Sequence, residues 1–454
     1  MRVAWFSPLP PSTSGIAAYT AEVTPLLAPH FRVIDLYHDQ VRAGADRCQE
    51  VRIGGGGLTA RPASEFVYRH RRDPYDVIVY QLGNSSAHDY MWAYAFRYPG
   101  VLVLHDAQLH QARALHLLRR LEPRLDDYLA ELRAGHPDAP ADVGYLFAAG
   151  LGGTLFRLWP HISLLMAASR MTLVHNAHLA AELRRAHPGA LVHHLSMGTA
   201  DPLADAATTL AAGRAIRRSH GIPDTAMVVG AYGGLTPEKR LPVLLAALAE
   251  RPTLHALLVG VRADHYDVEA DIRARGLAGR VHVTGYVEDA ALPAHLAAAD
   301  VCWCLRWPSN GETSASWLRC LGAGRPTIIT ALAQLADVPT LGVTPDGSAL
   351  DLGAARAVDA VGVSIDPVDE AREVQAALAG LEADAALRAR MGAAARALWE
   401  DRHTLPRMAE GYRRRLEEAA CAATPTPHLP PHLLDEGLGT LRRLLAETGT
   451  PSPW

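Results

Sequence analysis

Short runs rich in Val, Ile and Leu alternate with longer stretches of helical periodicity along most of this 454-residue chain, and the alternation comes in two successive series. Parallel strands cannot be joined by a tight turn, so a chain patterned in this way folds as parallel sheets whose crossovers are helices. The first series is RVAWF (2–6), FRVIDL (31–36), DVIVYQL (76–82), VLVLH (101–105), MTLVH (171–175) and ALVHHL (190–195). The second is AMVVGAYG (226–233), HALLVG (255–260), RVHVTG (280–285), DVCWCL (300–305) and PTIIT (326–330). All are short enough to be strands buried on both faces. Between strands of the second series, Leu241, Leu244, Leu245 and Leu248 recur at the spacing of a helix that lays one face on a sheet. The pattern predicts an α/β protein of two doubly wound, Rossmann-like domains.

A chain of this length exceeds what one hydrophobic core usually serves. The Ala-rich, polar segment around 199–222 separates the two series, which sets a first domain at 1–205 and a second at 206–415. Residues 107–169 are helical in pattern and interrupt the first series as an insertion. The remaining 416–454 holds TPTPHLPP (424–431), an extended Pro-rich linker, and then a helix carrying Leu434, Leu438, Leu441 and Leu445 on one face. That stripe needs a partner, either the protein's own body or a second copy in a homodimer.

Composition narrows the function classes. The net charge is −4 and the charges are interspersed, so no basic field for nucleic acid is present. No apolar run reaches the length of a membrane-spanning helix, and the apolar stretch in MRVAWFSPLPP is too short for a signal peptide. A cytoplasmic protein, soluble or peripheral at a membrane, is expected. Five scattered cysteines without a CxxC pair imply neither a disulfide framework nor a zinc site, and Cys302 and Cys304 should share one sheet face as small buried hydrophobes. His193 and His194 are adjacent on a strand and must point to opposite faces, and no HExxH spacing occurs, so neither a metal nor a cofactor is expected. Basic charge is carried almost wholly by arginine, which leaves Lys239 as the single lysine of the chain.

Three segments can carry chemistry. The first strand runs into SPLPPSTSGIAAYT, a loop with Gly15 that opens a helix at the carboxyl end of a strand, where backbone amides favour anions and a glycine allows close approach. At the start of the second domain, VVGAYGGLTPEKRLPVLLAAL places a Gly pair and then Lys239 and Arg240 before a helix. Cations there could neutralise a departing diphosphate without a metal. Farther on, WPSNGETSASWLRCLGAGRPTII joins Glu312 to a helix start at which the amides of Thr313, Ser314 and Ala315 could cradle a phosphate, while Glu312 accepts hydrogen bonds from sugar hydroxyls.

Taken together, PSTSGIAAYT, VLVLHD, VHNAHLAAEL, HLSMGTADP, GGLTPEKR, RVHVTGYVEDAALPAHLAAADV and GETSASWLRCLGAGRP resemble, in order and spacing, the retaining glycosyltransferases of GT-B architecture, family 4 in particular. The resemblance covers about residues 1 to 415. It implies two facing Rossmann-like domains and a nucleotide-diphosphate sugar as donor. In its terms Gly15 is similar to the loop glycine near the donor phosphates, and Lys239 to the diphosphate lysine. Gly285, Tyr286 and Val287 correspond to the loop that recognises the nucleobase. His105 resembles the histidine that contacts the donor sugar, and Glu312 the first glutamate of the family signature. Three departures stand out. Arg319 occupies the place of the second glutamate, the usual ribose ligand. Gly234 replaces an arginine that assists the lysine, which leaves Arg240 to supply the second cation. Met197 replaces a polar Asn. Acceptor-side contacts are expected in the first domain, with Asn84, His88, Asp106 and Arg157 as candidates. The acceptor class stays open among a glycan, a lipid-linked sugar and a small molecule.

The activity implied is hexosyl transfer with retention, with His105, Lys239 and Glu312 at its centre and no protein nucleophile. Two alternatives are a nucleotide-sugar epimerase of the same fold and a catalytically idle binding or partner subunit. Epimerisation would need paired acid and base carboxylates, and Glu312 has no evident partner.

Overall fold

The computed structural model describes residues 1–12, 14–39, 58–119, 121–353, 359–435 and 439–450. It divides the chain into two compact units. The first comprises Met1–Leu195, Asn310–Glu312 and Gly411–Trp454, and the second comprises Ser196–Ser309 and Thr313–Glu410.

In the first unit the strands are β1 (Arg2–Phe6), β2 (Val33–His38), β3 (Leu58–Pro62), β4 (Val77–Leu82), β5 (Val101–Leu104), β6 (Met171–Val174) and β7 (Val192–His194), in the spatial order β3-β2-β1-β4-β5-β6-β7. Every pair is parallel. Alternation along β1 sends Ala4 and Phe6 to one core and Trp5 to the other face, where its ring lies 5.1 Å from that of Tyr412. Residues between β5 and β6 form the helices His110–Leu118, Leu125–Gly135, Val143–Ala148 and Ser163–Ala167, and the first three close a small core around Leu117, Tyr128, Leu132 and Phe147.

The second unit has β8 (Val228–Tyr232), β9 (His255–Val259), β10 (Val281–Gly285), β11 (Val301–Cys304), β12 (Thr327–Thr330) and β13 (Gly362–Ile365), ordered β10-β9-β8-β11-β12-β13 and parallel throughout. Leu241, Leu244, Leu245 and Leu248 are all buried on the helix Leu241–Ala249, as their spacing requires. Cys302 is fully buried, Cys304 packs against the same cluster, and the Cys304 and Cys320 sulfurs lie 4.0 Å apart.

Two strands escaped the sequence reading, β3 (LTARP) and β13 (GVSI). Both stand at the end of a sheet's strand order, β13 with an added single bridge from Leu341 to Val363. An edge position does not demand the continuous apolar run that marks a central strand, and a Pro at the end of β3 is tolerated there. The chain passes from the first unit to the second at 195/196 rather than at 205/206. The segment after β7 is tied to the later chain instead: Thr199 pairs with Thr404, and the His403 ring bonds the Met197 carbonyl.

Residues 416–454 are not a separate piece. From Gly411 onward the chain belongs to the first unit, where the Tyr412 hydroxyl meets that of Tyr19 at 2.6 Å and accepts from the Gln81 amide. The expected Leu434–Leu445 stripe is not one helix face either. Pro431–Leu434 and Gly439–Glu447 are distinct helices, Leu438 and the side chain of Leu441 lie outside the described residues, and Leu434 is exposed. What the tail buries is Leu429 and Leu433, in the first unit's core, while His432 Nε2 lies 2.9 Å from Glu131 Oε1, itself paired with Arg113. No helix among the described residues is long and apolar enough to cross a membrane. Because Leu433 is buried in a packed core, Leu433→Ala should destabilise the protein by about 2–4 kcal/mol. Leu434→Ala should cost little, and chemical denaturation of the two variants checks the contrast.

Candidate functional site

Strand order reverses between β8 and β11 in the second sheet, and the loops leaving the carboxyl ends of two such strands diverge to opposite faces and open a crevice. The loop after β8 is Gly233–Arg240 and the loop after β11 runs through Leu305–Thr313. They are stitched together. Trp303 Nε1 donates to the Lys239 carbonyl at 2.8 Å, and the Trp307 amide donates to the Glu238 carbonyl at 2.8 Å. A cavity of about 20 Å³, room for one ordered water, is walled by Tyr232, Lys239, Cys304, Arg306, Ser314 and Ser316.

Lys239 is the centre of this arrangement. Its ammonium donates to the Tyr232 carbonyl, and among the described residues it has no ion-pair partner. Burial, followed by the neighbouring Arg306 guanidinium, lowers its pKa from the ordinary 10.5 to about 7. Gly233, at φ +87°, adopts a conformation open to glycine, and any side chain there would collide: a methyl group would stand 2.6 Å from Lys239 Nζ and 3.2 Å from Ser316 Oγ. Gly233 therefore leaves the ammonium and the Ser316 hydroxyl adjoining the same small space. Ser316 lies in the first turn of the helix Ala315–Gly322, capped by Ser314, whose hydroxyl accepts from the Trp317 amide. The helix begins at Ala315, two residues past Thr313, because Ser314 is the extended cap.

Arg240 is turned elsewhere. Its backbone is left-handed, at φ 57°, and its guanidinium binds both carboxylate oxygens of Glu370, with Nε at 2.9 and 2.8 Å. Glu370 is buried, and this pairing raises the Arg240 pKa. The expectation that Arg240 assists Lys239 with the diphosphate is corrected by this bond, since a guanidinium held at both oxygens of a buried carboxylate has its charge already balanced. Glu312 lies in a short segment that groups with the first unit. Residues 310–312 pack with the first unit: the Asn310 carbonyl accepts from the Ala107 amide at 3.0 Å, the Gly311 carbonyl from Asn176 Nδ2 at 3.1 Å, and Glu312 Oε2 accepts from the Asn310 amide at 2.7 Å. Arg319 is half-buried on the helix that carries Ser316. Gly285 ends β10 at φ +74°, Tyr286 is exposed beyond it, and Val287 packs back on the core. These three form the outer loop next to β9, where the Gly285 carbonyl accepts from the Gly260 amide.

The first unit has its own reversal, between β1 and β4. Gly15 begins the helix Gly15–Leu27 behind the cap Ser14, and a Cβ on it would meet open space, so the position leaves room above the helix start. Around Gly83, three of the candidates converge: a methyl there would lie 3.2 Å from His88 Nε2 and 3.3 Å from Asp106 Oδ2, while Asp106 Oδ2 accepts from the Asn84 amide at 2.8 Å. Burial drives the His88 pKa down to about 4. The ring is then neutral, and because Nδ1 lies 2.9 Å from the Gln81 carbonyl it must carry the proton, leaving Nε2 with its lone pair. His105 is likewise kept neutral by burial and by His175 beside it. Its Nε2 stands 2.7 Å from Gln81 Oε1, which the sequence did not reveal. Gln81 and Tyr412 are 331 residues apart in the chain, so no local signal announces the His105–Gln81–Tyr412–Tyr19 relay. Asn84 also accepts from the Ala112 amide and so anchors the insertion. Arg157 lies apart from this group, in the turn Gly153–Leu158, with its backbone carbonyl bonded to Gln108.

With this geometry in hand, the comparisons fall into line. Residues 213–315, which contain Gly233, Lys239, Arg306 and Ser314, match the family model glycosyl transferases group 1. The fold is similar to sucrose-phosphate synthase from Thermosynechococcus elongatus, with TM-score 0.63 at 15% identity over 92% of this chain and 98% of that one. It is similar also to HepE from Anabaena in complex with UDP-glucose (TM-score 0.56, 15% identity, 92% and 100% covered). A third is a UDP-forming α,α-trehalose-phosphate synthase from Burkholderia xenovorans in complex with glucose-6-phosphate (TM-score 0.54, 11% identity, 92% and 100% covered). No curated protein matches the chain. The architecture is thus that of the GT-B glycosyltransferases. Within it, residues 213–315 form a segment of the group 1 type.

The left-handed backbone at Arg240 gives a direct test of the turn. Arg240→Gly and Arg240→Ala both strand Glu370, but glycine relieves the backbone, so the glycine variant should be more stable than the alanine variant by about 1 kcal/mol in chemical denaturation.

Proposed function

We propose that this protein transfers a hexosyl group from a nucleotide-diphosphate sugar to an acceptor hydroxyl, with retention at the anomeric carbon and without a metal. The observation that carries the reading is the placement of Lys239, Gly233 and Ser316 around one space at the strand reversal of the second unit, inside the segment that matches the glycosyl transferases group 1 model.

The chemistry follows from charge. Breaking the bond between the anomeric carbon and the diphosphate oxygen leaves negative charge on the phosphates, and the barrier falls if fixed positive groups already wait there. Lys239 is such a group. In its resting position it donates to the Tyr232 carbonyl, and a phosphate oxygen would replace that carbonyl as acceptor. The cavity itself holds no more than a water, so the diphosphate sits at its mouth, against the amides and hydroxyls at the start of the helix Ala315–Gly322. The acceptor hydroxyl attacks on the face the diphosphate leaves, and a departing phosphate oxygen takes its proton. On this reading Gly285, Tyr286 and Val287 receive the base, and Arg319 replaces a ribose-binding carboxylate. The acceptor side is assigned to Asn84, His88 and Asp106, with His105 and Glu312 toward the donor sugar.

Replacing Lys239 by alanine should lower kcat/KM by about two to three powers of ten with the true donor, which a thermal-shift screen of nucleotide diphosphates and their sugars identifies. Turnover at the wild-type rate in that variant would remove the basis of the reading. The pH dependence has a definite sign. An anion binds the protonated lysine, and that form is disfavoured in the free protein, so affinity for a nucleotide-diphosphate sugar is highest below about pH 7. It should fall by an order of magnitude or so between about pH 7 and pH 8.5, a change that titration calorimetry reads directly. Activity should be indifferent to a chelator.

A further inference from the structure

We infer that Arg306 supplies the second positive charge for the diphosphate, binding it beside Lys239 in the role that the sequence had given to Arg240. This rests on the reading of the second unit as a nucleotide-diphosphate site.

Topology puts the two cations together. Lys239 lies in the loop after β8, Arg306 lies just past the end of β11, and those two strands flank the reversal of strand order. The backbone holds them in register. The Arg306 amide is fixed to Thr330 Oγ1 at 2.9 Å, the next amide, that of Trp307, bonds the carbonyl of Glu238, and Trp303, three residues before Arg306, bonds the carbonyl of Lys239 itself. Both residues line the same cavity, together with Ser314 and Ser316. Hence four groups able to donate hydrogen bonds, two of them cationic, surround one small space.

The electrostatics agree with this geometry. After burial, the largest influence on Lys239 is the Arg306 charge, which lowers its pKa. Two like charges beside one cavity repel, and the repulsion is relieved by an anion that both can reach. A single phosphate needs one such cation. A diphosphate, with charge spread over two linked groups, accounts for two. An arginine suits the second place because its planar fork holds two phosphate oxygens at once and stays charged while the lysine titrates. Arg240 cannot serve without breaking its pairing with Glu370, which would leave a buried carboxylate stranded.

Titration calorimetry with inorganic pyrophosphate and with uridine, guanosine and adenosine diphosphates tests the assignment, at constant ionic strength and across pH. Arg306→Ala should weaken the best-binding diphosphate at least about ten-fold, and Arg306→Lys by clearly less. Removal of the neighbouring charge should also move the pH midpoint of binding upward, because Lys239 then keeps its proton to higher pH. A merely structural role would not produce that shift. Arg306→Gln, which keeps a polar side chain without charge, carries the same test where alanine disturbs folding. Affinity within two-fold of wild type with an unmoved midpoint would overturn the inference, as would a greater loss in Arg240→Ala than in Arg306→Ala. If the wild-type protein binds none of these diphosphates, the functional reading itself falls; binding by wild type that is indifferent to Arg306 removes only the present inference.

Discussion

The adjacency of β8 and β11 is the constraint on which the candidate site depends. These strands are separated in sequence by two strands and three crossovers, and only the parallel sheet brings their carboxyl ends side by side. Each ends in a loop that must turn away from the sheet, and the space between those turns is where Lys239, Arg306 and the helix start at Ser314 meet. Without that pairing, the lysine would be an ordinary solvated side chain beside a turn. With it, the ammonium is half-buried, has no carboxylate partner among the described residues, and sits close to its titration point at neutral pH.

The turn that carries the lysine is held under strain, and the strain is supported from outside. Arg240 adopts a backbone conformation unfavourable for any residue with a side chain, and the grip of its guanidinium on the buried Glu370 offsets the cost. Glu370 opens the helix Glu370–Ala383, far along the chain. The Trp303 indole fixes the same turn from below. The turn that carries the lysine is therefore held by contacts to two separate stretches of sequence. A group whose task is to meet a charge developing at one point gains from such rigidity, since nothing must reorganise when the charge appears.

The first unit uses the same physics with different groups. Its crevice is lined by neutral imidazoles and an amide rather than by cations: burial keeps His88 and His105 uncharged, and Gln81 fixes which nitrogen of each carries the proton. The two strand reversals thus differ in their ionisable groups: Lys239 and Arg306 in the second unit, buried neutral imidazoles beside the Asp106 carboxylate in the first.

Sequence alone determined the class of fold, because two series of buried-strand patterns separated by helical periods admit few other solutions, and it singled out the lone lysine and the GETS helix start as candidates, because cations and helix N-termini at strand ends are readable locally. Strands β3 and β13 were not legible, since a short strand at the end of a sheet need not be continuously apolar. Nor were the partners. That Arg240 answers to Glu370, that His105 answers to Gln81 and Tyr412, that residues 310–312 pack with the first unit, and that Leu433 rather than Leu434 is buried are all decided by contacts between segments distant along the chain. Local pattern specifies which residues can bind an anion or fill a core. Only the tertiary fold decides which partner each of them meets, as it does in pairing Arg240 with the distant Glu370.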